Sequence, residues 1–237
     1  MLDHSTDLQE LLATNIAQVR SRIEEAAQRV GRQSDEITLV AVSKTKPVEM
    51  VEIAFRLGVT DFGENRVQEA LPKLAAFRPQ GLRWHMIGHL QSNKAGKVVG
   101  AFDCVQSVDS LSLARLLNRH AGQRNIRLPV LLEVNVSGEE SKEGMAPGQL
   151  RTQARQIVAL PQIDVQGLMT IAPLVENAEE VRPVFRALRE LRDQLRNEVP
   201  DCTWQHLSMG MTDDYHVAIE EGATIVRIGR AIFGERL

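Results

Sequence analysis

The stretch Ile37-Thr38-Leu39-Val40-Ala41-Val42-Ser43, running on into Lys44-Thr45-Lys46-Pro47, decides how the whole chain is read. It is short, apolar and rich in β-branched residues, which suits a strand covered on both faces. Pro47 fits the first position of a following helix, and Gly58 fits the stop just past its end. One strand, one polar turn and one helix make a βα unit.

Outward from it, the unit repeats. Strand-like runs at 59–63, 83–88, 102–107, 130–135, 163–170, 203–208 and 224–228 alternate with helical runs at 66–77, 94–99, 111–122, 150–160, 179–198 and from Thr212, as a cap, to Gly222. Strands that alternate with helices pair in parallel. Eight of them predict an α/β protein of the closed (β/α)8, or TIM, barrel type. An open doubly wound sheet is the alternative, but no G-x-G-x-x-G follows the first strand, which removes the main support for dinucleotide binding. Ahead of the first strand, Leu8, Leu11, Leu12, Ile16, Val19, Ile23, Ala27 and Val30 recur at helical spacing and Gly31 follows. This predicts an extra helix over 7–30 packed outside the barrel, with Ser5 or Thr6 as cap and Asp7 against the helix dipole. With no linker or low-complexity tract, 1–237 reads as one domain.

Composition narrows the function classes. The 28 Lys and Arg against 31 Asp and Glu give a net charge of -3, which argues against a nucleic-acid binder. Six Phe, two Trp and one Tyr are too few for a base-stacking platform. Cys104 and Cys202 read as small half-buried residues, and two cysteines make no disulfide framework. The acidic start MLDHSTDLQELL is unlike a signal peptide, and no apolar run has the length of a membrane span. A cytoplasmic location is the expectation.

In a barrel of this kind chemistry belongs at the carboxyl ends of the strands. Thr38, Val40, Val42 and Lys44 share one face of the first strand and Leu39, Ala41 and Ser43 the other, but lumen and helix layer are both apolar, so parity leaves the inner face open. Either way Lys44 sits at the mouth. A lysine there can be deprotonated by desolvation or by a neighbouring cation such as Lys46 and form a Schiff base with a carbonyl; the alternative is a lysine that simply snorkels at a strand end. The second signal is Ser208-Met209-Gly210-Met211-Thr212 with Arg227-Ile228-Gly229-Arg230, the loops after strands seven and eight, where barrels hold phosphate through backbone N–H groups and a hydroxyl. His85 and His89, four apart across Gly88, make a poor pair of metal ligands with no third at suitable spacing. Lys142 is read as approaching the mouth or capping a loop, and Asp213 and Asp214 as serving a helix N-terminus.

The stretches VAVSKTKP, DFGENRVQEA, RWHMIGHLQSNK, EVNVSGEESKEG, GLMTIAP and HLSMGMTDDYHVAIEEGATIVRIGRAIFG, in that order, resemble the pyridoxal phosphate (PLP) homeostasis protein family, alanine-racemase-like proteins of one domain. The likeness runs from about residue 8 to the end. It implies a fold-type III PLP barrel with PLP bound to Lys44 as an aldimine. Ser208, with the backbone of Gly229 and Arg230, resembles the phosphate cradle, lined also by the backbone of Met209 and Gly210. Arg227 resembles the residue that faces the pyridine nitrogen, Asn65 the one beside the cofactor, and His85 and Met169 residues lining the pocket.

A cationic Arg227 would keep the ring nitrogen unprotonated and make it a weak electron sink. Racemases of this fold add a tyrosine base from a second domain and a partner subunit. Here the chain ends at Leu237 after the last barrel unit, and its one tyrosine, Tyr215, is expected to face solvent or pack locally. The expected function is therefore intracellular PLP homeostasis: a monomer that buffers PLP and passes it to apo-enzymes, with no nucleic-acid or membrane partner and no robust turnover. An amino-acid racemase or lyase working through Lys44 is the alternative, and a PLP-free barrel aldolase a third.

Overall fold

A computed structural model of the chain describes residues 4–139 and 142–235. The readings that touch 1–3, 140–141 and 236–237 (the acidic start, part of the EVNVSGEESKEG stretch, and the ends of the 1–237 domain) lie outside the described residues.

All eight expected strands form: β1 Thr38–Val42, β2 Asp61–Glu64, β3 Arg83–Met86, β4 Cys104–Val108, β5 Leu128–Glu133, β6 Ile163–Met169, β7 His206–Ser208 and β8 Ile225–Ile228. They pair in parallel in chain order and close, β8 against β1, into one barrel. The helices are α1 His4–Arg29, α2 Val48–Arg56, α3 Val67–Ala76, α4 Ala95–Val98, α5 Leu111–Gln123, α6 Pro147–Val158, α7 Arg182–Glu198, α8 Tyr215–Glu220 and α9 Arg230–Phe233. The helix layer follows from amphipathic spacing. In α7, Phe185, Leu188, Leu191 and Leu195 recur at three and four residues and are all buried, each contributing about 1.5–3 kcal/mol.

α1 lies outside the barrel as expected. Leu12, Ile16, Val19, Ile23 and Ala27 are buried, Asn15 Nδ2 donates to the Ile232 carbonyl at 2.9 Å, and Arg32 just beyond the helix reaches the carbonyls of Ile219 and Ala223. Four details of the sequence reading are corrected. The helix already includes His4, so Ser5 and Thr6 are inside it and not caps. Leu11 points to solvent, because the buried stripe drifts around a helix of 3.6 residues per turn and takes Ala26 instead, and Val30 is exposed because the helix has already ended at Arg29. Pro47 is the N-cap of α2 and not its first helical residue, since its ψ of 159° is extended. Thr212 gives way to Asp214 as N-cap of α8 because residues 211–214 first close a turn, with Met211 N donating to Asp214 Oδ1.

Strand parity is settled by packing. Val40, Cys104, Leu131, Met169 and Ile225 form a separate apolar cluster inside the barrel, so the Thr38, Val40, Val42 face of β1 is the lumen face. Ala41 and Phe62 belong to the much larger core between barrel and helices. The lumen is otherwise polar: Asp61, His85, Gln106, Ser208 and Arg227 are all buried there, tied to one another from strand to strand.

Candidate functional site

Lys44 follows β1 in a turn closed by Lys46 N donating to the Ser43 carbonyl at 3.1 Å, and it is half-buried at the mouth. The turn is strained, and a buried network holds it. Thr45 has φ 63°, a left-handed conformation that costs a β-branched residue about 1–3 kcal/mol. Behind it, Lys73 Nζ donates to the Ser43 carbonyl at 2.7 Å and pairs with the fully buried Glu64 at 2.8 Å, while Ser43 Oγ donates to the same carboxylate at 2.7 Å. A buried ion pair between β2 and α3 therefore pins the backbone that carries Lys44.

Beside it lies the end of β8. Val40 pairs with Arg227 and Ala41 with Ile228, so Gly229 and Arg230 emerge beside the Lys44 turn. A Cβ on Gly229 would sit 3.3 Å from the Val42 carbonyl, so the two strand ends approach closely there. The loop after β7 folds back equally tightly. Gly210 has φ +92°, and a Cβ on it would meet Ala218 Cβ at 2.6 Å, so only glycine fits. Arg227 N donates to the Gly210 carbonyl and Met209 N to the Ile225 carbonyl, which locks the two loops as a pair.

Arg227 is 4% exposed; Nη1 donates to Ser208 Oγ at 2.6 Å and Nη2 to the Thr170 carbonyl at 2.8 Å. Burial pulls its pKa down to about 10, opposed by the negative charges of Glu133 and Asp214, so it remains a cation at neutral pH. Ser208, read as a phosphate ligand, is fully buried with its proton on Gln106 Oε1 at 2.6 Å. Its hydroxyl is committed inside the lumen, and the backbone after it forms the open rim.

His85 turns the other way. Its ring is held between Asp61 and Gln106 and lines a cavity of about 170 Å³ at the amino ends of the strands, with Thr38, Arg83 and His206. Met169 is buried in the lumen cluster, Met209 in the helix-facing core, and Asn65 is half-buried just after β2. Lys142 Nζ donates to the Ala172 carbonyl at 2.9 Å and so joins two rim loops.

The sequence reading missed three groups. Gln106 and Glu133 had a visible signal, each being a polar residue at lumen parity in an otherwise apolar strand. Glu133, 3% exposed at the end of β5, is pushed up to about 7 by burial; Arg227 opposes the shift, and Asp109 and Glu143 add to it. The third is at the rim, where His89 Nδ1 lies 3.3 Å from Asp109 Oδ2 and 3.6 Å from Glu143 Oε2. His89 thus has partners from two other loops, which no spacing along the chain reveals, while His85 is buried elsewhere.

Tyr215 is 2% exposed, packs directly against the Gly210 loop, and its hydroxyl interacts with Arg22 of α1. Both cysteines are buried and unpaired, and burial pushes the Cys104 thiol up to about 12, which makes it inert. Among the described residues no helix is long and apolar enough to cross a membrane.

Residues 14–237 match the family described as the alanine racemase N-terminal domain. The pyridoxal phosphate homeostasis protein of Aquifex aeolicus is 47% identical over 221 residues, 93% of this chain and 96% of that one. PipY of Synechococcus elongatus, solved with PLP bound, is similar with a TM-score of 0.84 and 38% identity over 94% of this chain and all of that one. Alanine racemase from Corynebacterium glutamicum shares the fold alone, with a TM-score of 0.73 and 14% identity over 96% of this chain and 62% of its own.

Proposed function

The chain belongs to the pyridoxal phosphate homeostasis protein family, and from that premise we propose that it holds PLP at the barrel mouth to buffer and deliver it, without sustained turnover of its own. The observation that carries the reading is Arg227: a cation anchored at two points directly beneath the paired loops, on the strand next to the one that carries Lys44.

The residues fit the cofactor. The close approach of Gly229 to Val42, which a side chain would fill, leaves a cradle whose amides at Gly229 and Arg230, with the Gly210 loop, suit a phosphate. Lys44 would take the aldehyde carbon, and Arg227 would face the ring nitrogen. Bound there, PLP would supply an electrophilic carbon conjugated to a ring that withdraws electrons. Arg227, with a pKa near 10, donates a hydrogen bond and gives up no proton at neutral pH, so it leaves that ring a weak electron sink. The single tyrosine is buried with its hydroxyl on Arg22, and burial raises its pKa, so it keeps its proton at neutral pH and supplies no ready base.

Borohydride reduction of PLP-loaded protein should fix the cofactor to the Lys44 peptide. Lys44→Ala should lose the visible absorbance, and wild type should restore activity to an apo PLP-enzyme. Retained reducible absorbance in Lys44→Ala overturns the attachment. A second reading, amino-acid racemisation or a related proton transfer, is favoured by one group: Glu133, buried at the mouth with a pKa near neutrality, is suited to general base work. Incubating holo-protein with amino acids in deuterated water separates the two. Exchange at about one per second, near the low end for enzymes, selects the enzyme; exchange far below that, with delivery intact, selects the carrier. The carrier reading also includes a cytoplasmic monomer that donates to apo PLP-enzymes, testable by sedimentation and by transfer kinetics at varied acceptor concentration.

A further inference from the structure

Below the mouth, a single line of hydrogen bonds descends the lumen. Arg227 Nη1 donates to Ser208 Oγ at 2.6 Å, and Ser208 Oγ donates to Gln106 Oε1 at 2.6 Å. Gln106 Nε2 lies 3.0 Å from His85 Nδ1, and His85 Nε2 lies 2.8 Å from Asp61 Oδ1. The five side chains come from five strands, and none is more than 6% exposed.

The direction of the line is set by its top member together with the orientation of the Gln106 amide. Arginine has donors only, so Ser208 Oγ accepts there and has its one proton left for Gln106. With the amide oxygen upward on Ser208, the amide N–H faces His85 Nδ1, which accepts as the bare ring nitrogen of that arrangement. His85 therefore carries its proton on Nε2 and gives it to Asp61. All four bonds point from mouth to floor. Five polar side chains in a barrel interior carry a desolvation cost that an apolar filling would avoid, and such networks serve best when they select one arrangement.

What this arrangement selects is the plane of Arg227, anchored on one side by Ser208 and on the other by the Thr170 carbonyl. We propose that Gln106 is a positioning residue for Arg227: acting through Ser208, and itself oriented by His85 and Asp61, it fixes the edge that the guanidinium turns to the cofactor ring. This rests on the reading of Arg227 as the group beside that ring.

The test begins without cofactor, on ¹⁵N-labelled apo-protein. Wild type should show slowly rotating, resolved Arg227 Nη signals, and a His85 ring protonated at Nε2 alone. Gln106→Met, which keeps the volume and removes both bonds, should average the Arg227 signals. It should also shift the absorption maximum of bound PLP and weaken PLP retention about tenfold, the scale of one hydrogen bond to a charged group. Gln106→Glu keeps the acceptor for Ser208 and withholds the proton from His85. It should leave Arg227 locked, hold PLP retention within about threefold of wild type, and put a second proton on His85 at Nδ1. Locked Arg227 signals with unchanged retention in Gln106→Met, or a bare His85 Nδ1 in Gln106→Glu, overturns the proposal. If wild type binds no PLP, the cofactor reading fails by itself, and the apo-protein signals still judge the chain.

Discussion

Asp61 at the floor of the barrel and Glu133 at its mouth are carboxylates of the same depth, 2% and 3% exposed, in opposite electrostatic states. Burial alone would raise both. Around Asp61 the hydrogen bonds from His85 and Arg83, with one from Thr60, outweigh burial and hold it below its ordinary value. Glu133 faces Arg227 but also Asp109 and Glu143, and burial leaves it near 7. The floor is a closed, satisfied network. The mouth holds opposite charges, Glu133 and Arg227, whose remaining bonding capacity suits a ligand.

The comparison breaks most easily at the floor. Asp61→Ala leaves His85 and Arg83 without their shared acceptor and should cost about 3 kcal/mol, the low end for breaking a buried pair because Arg83 keeps contact with water. Urea unfolding reads this directly, and unchanged stability would mean that the floor network is ornamental.

Glu133→Gln tests the mouth, through pH. A carboxyl whose folded pKa is raised adds stability that is fully present below the unfolded value near 4.5 and is lost as pH rises through 7. The change spans about 3–4 kcal/mol. The amide variant should therefore match wild type near pH 4 and be more stable by about that amount at pH 8. Asp61 has the opposite slope: its contribution is present above its ordinary 3.8 and fades only in stronger acid. A wild-type profile flat between pH 4.5 and 7 would remove the contrast.

Between the two ends, Ser208→Ala leaves Gln106 Oε1 without its donor and Arg227 without one acceptor. A loss of about 2 kcal/mol in stability is expected, with the phosphate contribution small because this hydroxyl is already committed. Because Ser208 carries the line from Gln106 to Arg227, PLP retention should fall about as far as in Gln106→Met; a fall with the Arg227 signals still locked would return Ser208 to the phosphate. The smallest effect is expected at Tyr215→Phe, about 0.5–1 kcal/mol for its interaction with Arg22. Any change in deuterium exchange there would place the tyrosine in the chemistry after all.

Much of this was legible in the chain itself. Apolar strand runs, glycine stops and helical spacing determined eight parallel βα units and an outer helix, because each signal is local: one strand, one turn, one stripe. The same locality placed Lys44 and the loops at 208–212 and 227–230 at one end of the barrel. The tertiary structure alone decided which face of β1 is the lumen, since both faces are apolar and only closure assigns an inside. It also decided that Ser208 and His85 belong to one buried line with Gln106, and that His89 meets Asp109 and Glu143. Those contacts join strands and loops 19 to more than 100 residues apart, as Ser208 and Gln106 are. Their strength depends on burial and direction, which no spacing along a chain encodes.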